Sequence, residues 1–144
     1  MVMVAYKSLC TQATILLWYV KRLSVIYSSE NLYIELEESE IPWFKIFTNT
    51  PYKEFSQVPH SVQLEILSTI NIIEKLMLDY YQPEKINIAS FGNYMPHQHW
   101  HVMARFSEDS YYPEPMWGNK QRTSTLSLPN LNTFITMLKQ KLNT

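Results

Sequence analysis

The chain has little glycine and almost no cysteine, and both shortages limit its chemistry. Its 144 residues include two glycines, Gly92 and Gly118, which stand alone. Walker and Rossmann phosphate loops need several glycines at fixed spacing, and the nucleophile turn of serine hydrolases needs two around its serine, so these devices are excluded. The single cysteine, Cys10, excludes an intramolecular disulfide and a multi-cysteine zinc site. It also indicates a reducing compartment, and we expect the cytoplasm.

Neither a surplus of charge nor a membrane-length apolar run is present. Lys and Arg number 12 against 13 Asp and Glu, without a long basic block, so binding to duplex nucleic acid is not expected. The apolar run at residues 13–20 is much shorter than the roughly 20 residues that cross a bilayer, so no transmembrane segment is expected. We expect residues 13–22 to form a helix or strand packed on the domain or a partner, with membrane contact or disorder as the alternatives.

The pattern of apolar residues predicts four strands. Residues 31–36 and 43–47 are expected to form a hairpin, and residues 85–91 and 99–106 are expected to pair across the turn at 92–96. All four runs are rich in β-branched or aromatic residues, which favour strands. With the helices described next, they predict one α+β domain with an antiparallel sheet, and 46% hydrophobic residues suffice for a core.

Two helices are predicted from apolar residues that recur every three or four positions. The first runs from about Pro59 to Tyr81 and is ended by Pro83. Its predicted buried stripe is Val62, Ile66, Ile70, Ile73, Met77 and Tyr80. The second follows Pro129, after the proline-rich stretch 111–118. Its apolar positions are Leu131, Ile135, Leu138 and Leu142.

Three of the four histidines stand at every second position, at His97, His99 and His101. Alternate side chains of a strand project from one face, so the three imidazoles share a face while Trp100 and Val102 point the other way. Same-face neighbours lie roughly 6.5 to 7 Å apart, close enough to hold one phosphate group on both sides of the central imidazole. A neutral imidazole can attack phosphorus, and protonated neighbours can donate hydrogen bonds to phosphate oxygens.

Two other interpretations of these histidines are a metal site and an exposed polar strand face. Imidazole is a common zinc ligand, but the outer pair on a straight strand would lie roughly 13 Å apart, so two histidines but not three could share one zinc. We therefore predict no metal site, and a metal-dependent hydrolase built on two histidines is an alternative. An exposed polar face with histidines there by chance explains the regular spacing less well. The fourth histidine, His60, is expected at the surface near the start of the long helix and receives no role.

The sequence HQHWHVM at 97–103 resembles the histidine-triad motif of the HIT superfamily, in which three histidines alternate with mostly apolar residues. NLYIELEESEIPWFKIFT resembles the first strands of that family, and NIASFGNYMP resembles its approach to the triad. YPEPMWG is similar to the tail of some bacterial members. The resemblance covers about residues 26–120, so we predict a HIT-like domain at 26–144 and an N-terminal extension at 1–25. It implies an antiparallel sheet with a long central helix and a C-terminal helix.

The resemblance also implies a function and assigns roles to residues. A member would hydrolyse or transfer a nucleotide by cleavage at the α-phosphate through a covalent nucleotidyl-histidine, without a cofactor. By carry-over, His99 is the nucleophile, His97 and His101 flank it, and Asn93 lies near the phosphate or leaving group.

Substrate and partners follow from the same resemblance. Adenosine compounds are the expected substrates, as dinucleoside polyphosphates or nucleoside phosphoramidates, and these two classes stay open. A homodimer is the expected assembly. The alternative function is a non-catalytic nucleotide-binding or regulatory module.

Overall fold

Five antiparallel strands form one sheet in the computed structural model, which describes residues 24–144. The strands are β1 (Val25–Ser28), β2 (Leu32–Leu36), β3 (Trp43–Thr48), β4 (Lys85–Ala89) and β5 (His99–Arg105). Their order across the sheet is β1-β2-β3-β5-β4, and every neighbouring pair is antiparallel. Strand β5 therefore lies between β3 and β4.

Two α-helices and one short 3₁₀ helix complete the fold. These are the 3₁₀ helix Phe55–Gln57, α1 (His60–Tyr81) and α2 (Leu131–Leu142). The predicted α+β class, the two strand pairs and both helices are confirmed. Strand β1 was not predicted. The expectation for residues 13–22 lies outside the described residues, and the division between 1–25 and 26–144 stays a prediction.

The sheet has one face in the core and one face that carries the histidines. Ile34, Ile46 and Val102 are fully buried in a core cluster that also contains residues of α1 and α2. Because strand side chains alternate, the neighbours of these residues in sequence project from the opposite face. We call this opposite side the histidine face. In residues 24–144 no helix is both long enough and apolar enough to span a membrane.

The end of α1 corrects one predicted core position. The helix ends at Tyr81, and Gln82 adopts a left-handed conformation with φ of 50° before Pro83. Tyr81 is buried, whereas Tyr80 is only partly buried and donates its hydroxyl to the Asn130 carbonyl at 3.0 Å. Four residues after the buried Met77, the helical repeat favours position 81 for burial.

Helix α2 is joined to the core through Phe134. The Asn130 side chain accepts a hydrogen bond from the Thr133 N–H at 3.1 Å and caps the helix start. Phe134 is fully buried, with ring centroids 5.4 Å from Phe44 and 5.0 Å from Tyr81. Of the predicted stripe, Leu138 is buried and the other three positions are partly buried.

Candidate active site

Strand β5 carries two of the three clustered histidines between two neighbouring strands. Its register pairs His99 with Phe47 and His101 with Lys45 on β3, and His101 with Ala89 on β4. His97 lies just before the strand, but its ring also contacts Phe47, at a centroid distance of 5.3 Å. The structure thus brings all three imidazoles to one side of the sheet, as the alternation predicts.

The imidazole of His99 is oriented by a main-chain carbonyl. Its Nδ1 lies 2.8 Å from the carbonyl oxygen of His97, and a carbonyl oxygen can only accept a hydrogen bond. Nδ1 therefore carries the proton, and in the neutral ring Nε2 keeps its lone pair. The ring stacks on Phe47 at 4.7 Å and meets His101 edge-on at 4.8 Å. These contacts define both the tautomer and the orientation of the central histidine.

The imidazole of His101 has the opposite tautomer. The indole Nε1–H of Trp43 donates to its Nδ1 at 2.9 Å, so the neutral ring carries its proton on Nε2. The side chain is buried, and burial lowers its pKa from 6.5 to about 4, with further contributions from His99 and Lys45. At neutral pH, His101 is therefore an uncharged hydrogen-bond donor through Nε2–H.

The side chain of His97 is turned toward β3. Its Nε2 lies 2.7 Å from the Thr48 carbonyl oxygen and 3.2 Å from the Thr48 hydroxyl. That hydroxyl donates to the Thr50 carbonyl at 2.7 Å, so both Thr48 oxygens accept from His97 Nε2–H. The His97 carbonyl therefore accepts the hydrogen bond from His99, and the His97 ring packs beside Phe47.

A cavity of about 470 Å³ opens beside His99 and His101. We call it the aromatic cavity; the described residues that line it are Phe91, Gly92, Asn93, Tyr94, Met95, His99, His101 and Trp117. Gly92 has φ of +90°, a conformation that glycine adopts without strain, and it turns the chain between Phe91 and Asn93. The structure places the predicted residue Asn93 in the same cavity as two of the histidines.

Known proteins resemble this chain in both sequence and fold. The family model described as the HIT domain matches residues 21–108, which is more than half of the chain. The chain belongs to the HIT domain family. No curated protein matches its sequence.

Solved structures of histidine triad proteins share the fold of this HIT domain. The protein from Bradyrhizobium japonicum aligns with a TM-score of 0.68 at 22% identity, over 84% of this chain and 92% of that one. The protein from Sinorhizobium meliloti gives 0.66 at 22% identity, over 83% and 90%. A diadenosine triphosphate hydrolase from Plasmodium falciparum gives 0.53 at 15% identity, over 83% and 71%. The predicted HIT-like fold is confirmed.

Trp117 lies beyond the residues that the HIT family model matches, in a loop held by a buried ion pair. Arg105 forms a bidentate pair with Asp109, at 2.9 and 3.0 Å, and also donates to the Asn87 side chain and the Glu114 carbonyl. Burial alone would raise the pKa of Asp109, but hydrogen bonds from Arg105 and from three backbone N–H groups lower it. This network holds the loop that carries Trp117.

Several residues near the triad were not singled out from the sequence. Trp43 and Lys45 lie on the histidine face because β3 pairs with β5 in this register. Lys45 forms ion pairs with Glu35 and Glu37. The alternation of Trp43, Lys45 and Phe47 was a signal that they share a face, but the sequence does not show which strand lies beside them.

Two further polar residues of the HIT domain, Gln98 and His60, are not part of the triad. Gln98 is buried, and it bonds to the chain after β3 through its N–H to the Tyr52 carbonyl and its amide to the Lys53 carbonyl. His60 is exposed at the first position of α1. Within residues 24–144, no three His, Cys, Asp or Glu side chains are grouped as a metal ion would require.

Proposed function

We propose that this protein is a nucleotide hydrolase or nucleotidyl transferase in which His99 Nε2 attacks the α-phosphorus of a nucleotide. The hydrogen bond from His99 Nδ1 to the His97 carbonyl carries this proposal, because it leaves the lone pair on Nε2. The HIT domain family includes nucleotide hydrolases and transferases, and the Plasmodium falciparum neighbour is a diadenosine triphosphate hydrolase. Both facts support the same reaction class.

The residues around His99 have separate roles in the proposed reaction. His101 Nε2–H donates a hydrogen bond to a phosphate oxygen while the ring stays neutral, since Trp43 occupies its Nδ1. His97 flanks the nucleophile in the triad, and its carbonyl positions the His99 ring. Asn93 donates its amide to the phosphate or the leaving group from the wall of the aromatic cavity. No metal or cofactor takes part in these steps.

The reaction proceeds in two displacements. The lone pair of His99 Nε2 forms a bond to the α-phosphorus, and the bond from phosphorus to the leaving group breaks with its electron pair on that group. The ring then carries a positive charge, and Nδ1–H to the His97 carbonyl stabilises it. Water next attacks phosphorus and gives up a proton to the departed leaving group or to solvent, the Nε2–phosphorus bond breaks, and the electron pair returns to Nε2. The products are a nucleoside monophosphate and the protonated or anionic leaving group.

We also propose that the protein forms a homodimer and that it is located in the cytoplasm. Leu64, Leu67 and Leu78 are exposed on α1, and β4 is an edge strand of the sheet that carries the exposed Ile88. Apolar side chains of this kind on one helix and a sheet edge are typical of subunit interfaces. The single cysteine supports a reducing compartment.

The proposal is tested by intact-protein mass spectrometry after acid quenching. Wild type, His99→Asn and His60→Asn are mixed briefly with diadenosine triphosphate or an adenosine phosphoramidate, in the presence of a chelator. The asparagine amide keeps a donor for the His97 carbonyl but has no nucleophilic lone pair. We expect a transient AMP adduct on wild type and His60→Asn, and none on His99→Asn.

The other outcomes identify the alternatives. Nucleotide binding without adduct or AMP release in any of the three proteins would overturn the enzyme and favour a nucleotide-binding module. Loss of wild-type turnover under the chelator, with recovery on added zinc, would favour a metal-dependent hydrolase. An adduct that persists in His99→Asn would show that another residue is the nucleophile.

A further inference from the structure

Two cavities meet at Tyr81, the last residue of α1. The larger, of about 400 Å³, is also lined by Glu84 and Glu108, and we call it the Glu84 cavity. The smaller, of about 200 Å³, is also lined by Glu37 and Glu40, and we call it the Glu40 cavity. None of the described histidines lines either cavity, so both are separate from the aromatic cavity.

The hydroxyl of Tyr81 is buried and has no hydrogen-bond partner in the described part of the chain. Tyr81 as a whole is 6% exposed, and buried polar groups of native proteins nearly always form a hydrogen bond. Burial also raises the pKa of Tyr81, so the hydroxyl stays protonated and neutral. Phenylalanine would fill the same space without an unpaired oxygen. The unpaired hydroxyl therefore favours a binding role for Tyr81 over a role in packing alone.

An apolar wall separates the two cavities. Leu128 and Pro129 line both of them, so these residues and Tyr81 lie between the two spaces. The segment that carries Leu128 and Pro129 belongs to no helix or strand. Near its start, the N–H of Thr125 donates to the Glu108 carbonyl at a long 3.4 Å. The Leu128 side of the wall can therefore move without the loss of hydrogen bonds of a helix or a sheet.

Each of the two cavities is lined by two carboxylates, and no lysine or arginine is among the described residues of either lining. Glu37 pairs with Lys45, and Glu40 accepts hydrogen bonds from the N–H and the hydroxyl of Ser110. A carboxylate offers two oxygens with about four lone-pair positions, so both keep acceptor sites free. The linings therefore favour a positive charge in each cavity, with apolar contacts between the two charges.

We propose that the Glu84 and Glu40 cavities together form a second binding site, whose ligand is a linear polyamine with a nitrogen between its ends. The terminal ammonium groups pair with the carboxylates of the two cavities, and the methylene chain packs on Leu128 and Pro129. Leu128 moves aside, and the middle nitrogen donates a hydrogen bond to the Tyr81 hydroxyl oxygen. The site does not involve His99, so it goes beyond the proposed nucleotidyl transfer and is tested separately from it.

Spermidine and 1,8-diaminooctane are a matched pair of probes. Their terminal nitrogens are separated by chains of equal length, and the middle nitrogen of spermidine is a carbon in 1,8-diaminooctane. Isothermal titration calorimetry with the full chain measures Kd for both amines. Tyr81→Phe should weaken spermidine binding by about tenfold, the size of one hydrogen bond to a charged group, and leave the binding of 1,8-diaminooctane unchanged. The variant should fold, because it removes only an oxygen that has no partner in the described part of the chain.

Variants of the carboxylates test the charged ends of the ligand. Glu84→Gln and Glu108→Gln change exposed side chains of the Glu84 cavity, and each should weaken the binding of both amines by up to about fivefold. Glu30→Gln is the matched control, because Glu30 is equally exposed but lies in the turn between β1 and β2, outside both linings. Its affinity for both amines should equal that of wild type.

Three other outcomes would overturn the inference. Absence of spermidine binding to wild type would exclude the site. Equal affinities of wild type and Tyr81→Phe for spermidine would exclude the hydrogen bond to the hydroxyl. A loss in Glu30→Gln as large as that in Glu84→Gln would show general attraction of amines to an acidic surface. NMR signals of the Tyr81 ring give a test without substitution, since spermidine should shift them and leave those of Tyr33 on the histidine face in place. The reverse pattern would place the amine elsewhere.

Discussion

The indole Nε1–H of Trp43 donates a hydrogen bond to Nδ1 of His101 at 2.9 Å, between two strands that are adjacent in the sheet. This contact holds His101 in the tautomer that presents Nε2–H, and it ties a residue outside the histidine motif to the chemistry of the triad. Loss of this hydrogen bond should therefore change the tautomer of His101 more than it changes the stability of the fold.

Trp43→Phe tests this contact. The phenyl ring keeps most of the packing but has no donor, so the tautomers of His101 should mix and kcat should fall. A lost hydrogen bond of about 0.5 to 1.5 kcal/mol corresponds to a fall of roughly 2-fold to 12-fold. Nitrogen-15 chemical shifts of the His101 ring measure the tautomer directly, and steady-state kinetics measure the rate.

Trp100→Phe is the matched control, because Trp100 neighbours His101 in sequence but lies on the other side of β5 and contacts Phe55. Its His101 shifts should match those of wild type. Unchanged His101 shifts in Trp43→Phe would contradict the assigned tautomer.

His101 should make the fold less stable as the pH falls. Its pKa is lowered from 6.5 to about 4 in the folded protein, so between these values the unfolded chain binds a proton that the folded protein does not. The free energy of unfolding must then decrease from about pH 6.5 toward pH 4. In His101→Asn this contribution is absent, while the amide oxygen can still accept from Trp43.

Urea unfolding of both proteins at pH 7 and pH 5 measures the effect. The stability of wild type relative to His101→Asn should decline at the lower pH. The comparison removes the acid sensitivity of Asp109, whose lowered pKa also favours unfolding in acid and is common to both proteins. A parallel decline in the two proteins would mean that His101 titrates normally.

Arg105→Met should destabilise the whole domain. It leaves the carboxylate of Asp109 buried without its cation, and removal of one partner of a buried pair costs about 3 to 5 kcal/mol. The midpoint of chemical unfolding should shift accordingly. Lys139→Met, an exposed change on α2, should cost within about 0.5 kcal/mol. Equal midpoints for the two variants would show that the pair adds nothing to stability.

The proposed homodimer gives a prediction about α1. Light scattering coupled to size-exclusion chromatography should give twice the 17.1 kDa chain mass for wild type. Leu67→Glu places a charge on a leucine that is 55% exposed, and we expect it to yield a monomer. The exposed change Thr136→Glu on α2 should leave the dimer intact. A monomeric wild type would exclude the dimer, and a dimeric Leu67→Glu would exclude this face.

Prediction from sequence succeeded where a periodic pattern extends over a whole element. The stripe from Val62 to Met77 located α1, and the alternation through His101 placed the triad on one side of a strand. It missed β1, a strand of four residues with too few positions for a pattern to emerge. It also omitted Phe134, which packs on α1 and β3. Which side of α2 is most deeply buried depends on the position of the other elements.

By itself, the sequence determined the fold class, the histidine motif and the exclusion of glycine-based phosphate loops, because these depend on local spacing and composition. The tertiary structure decided what each histidine can do. Trp43 stands 58 residues before His101, and Trp117 approaches it from a loop beyond β5. Hydrogen-bond partners set the tautomers, burial lowers the pKa of His101, and separate segments enclose the aromatic cavity. Such properties arise only when distant parts of the chain meet, and no local pattern encodes them.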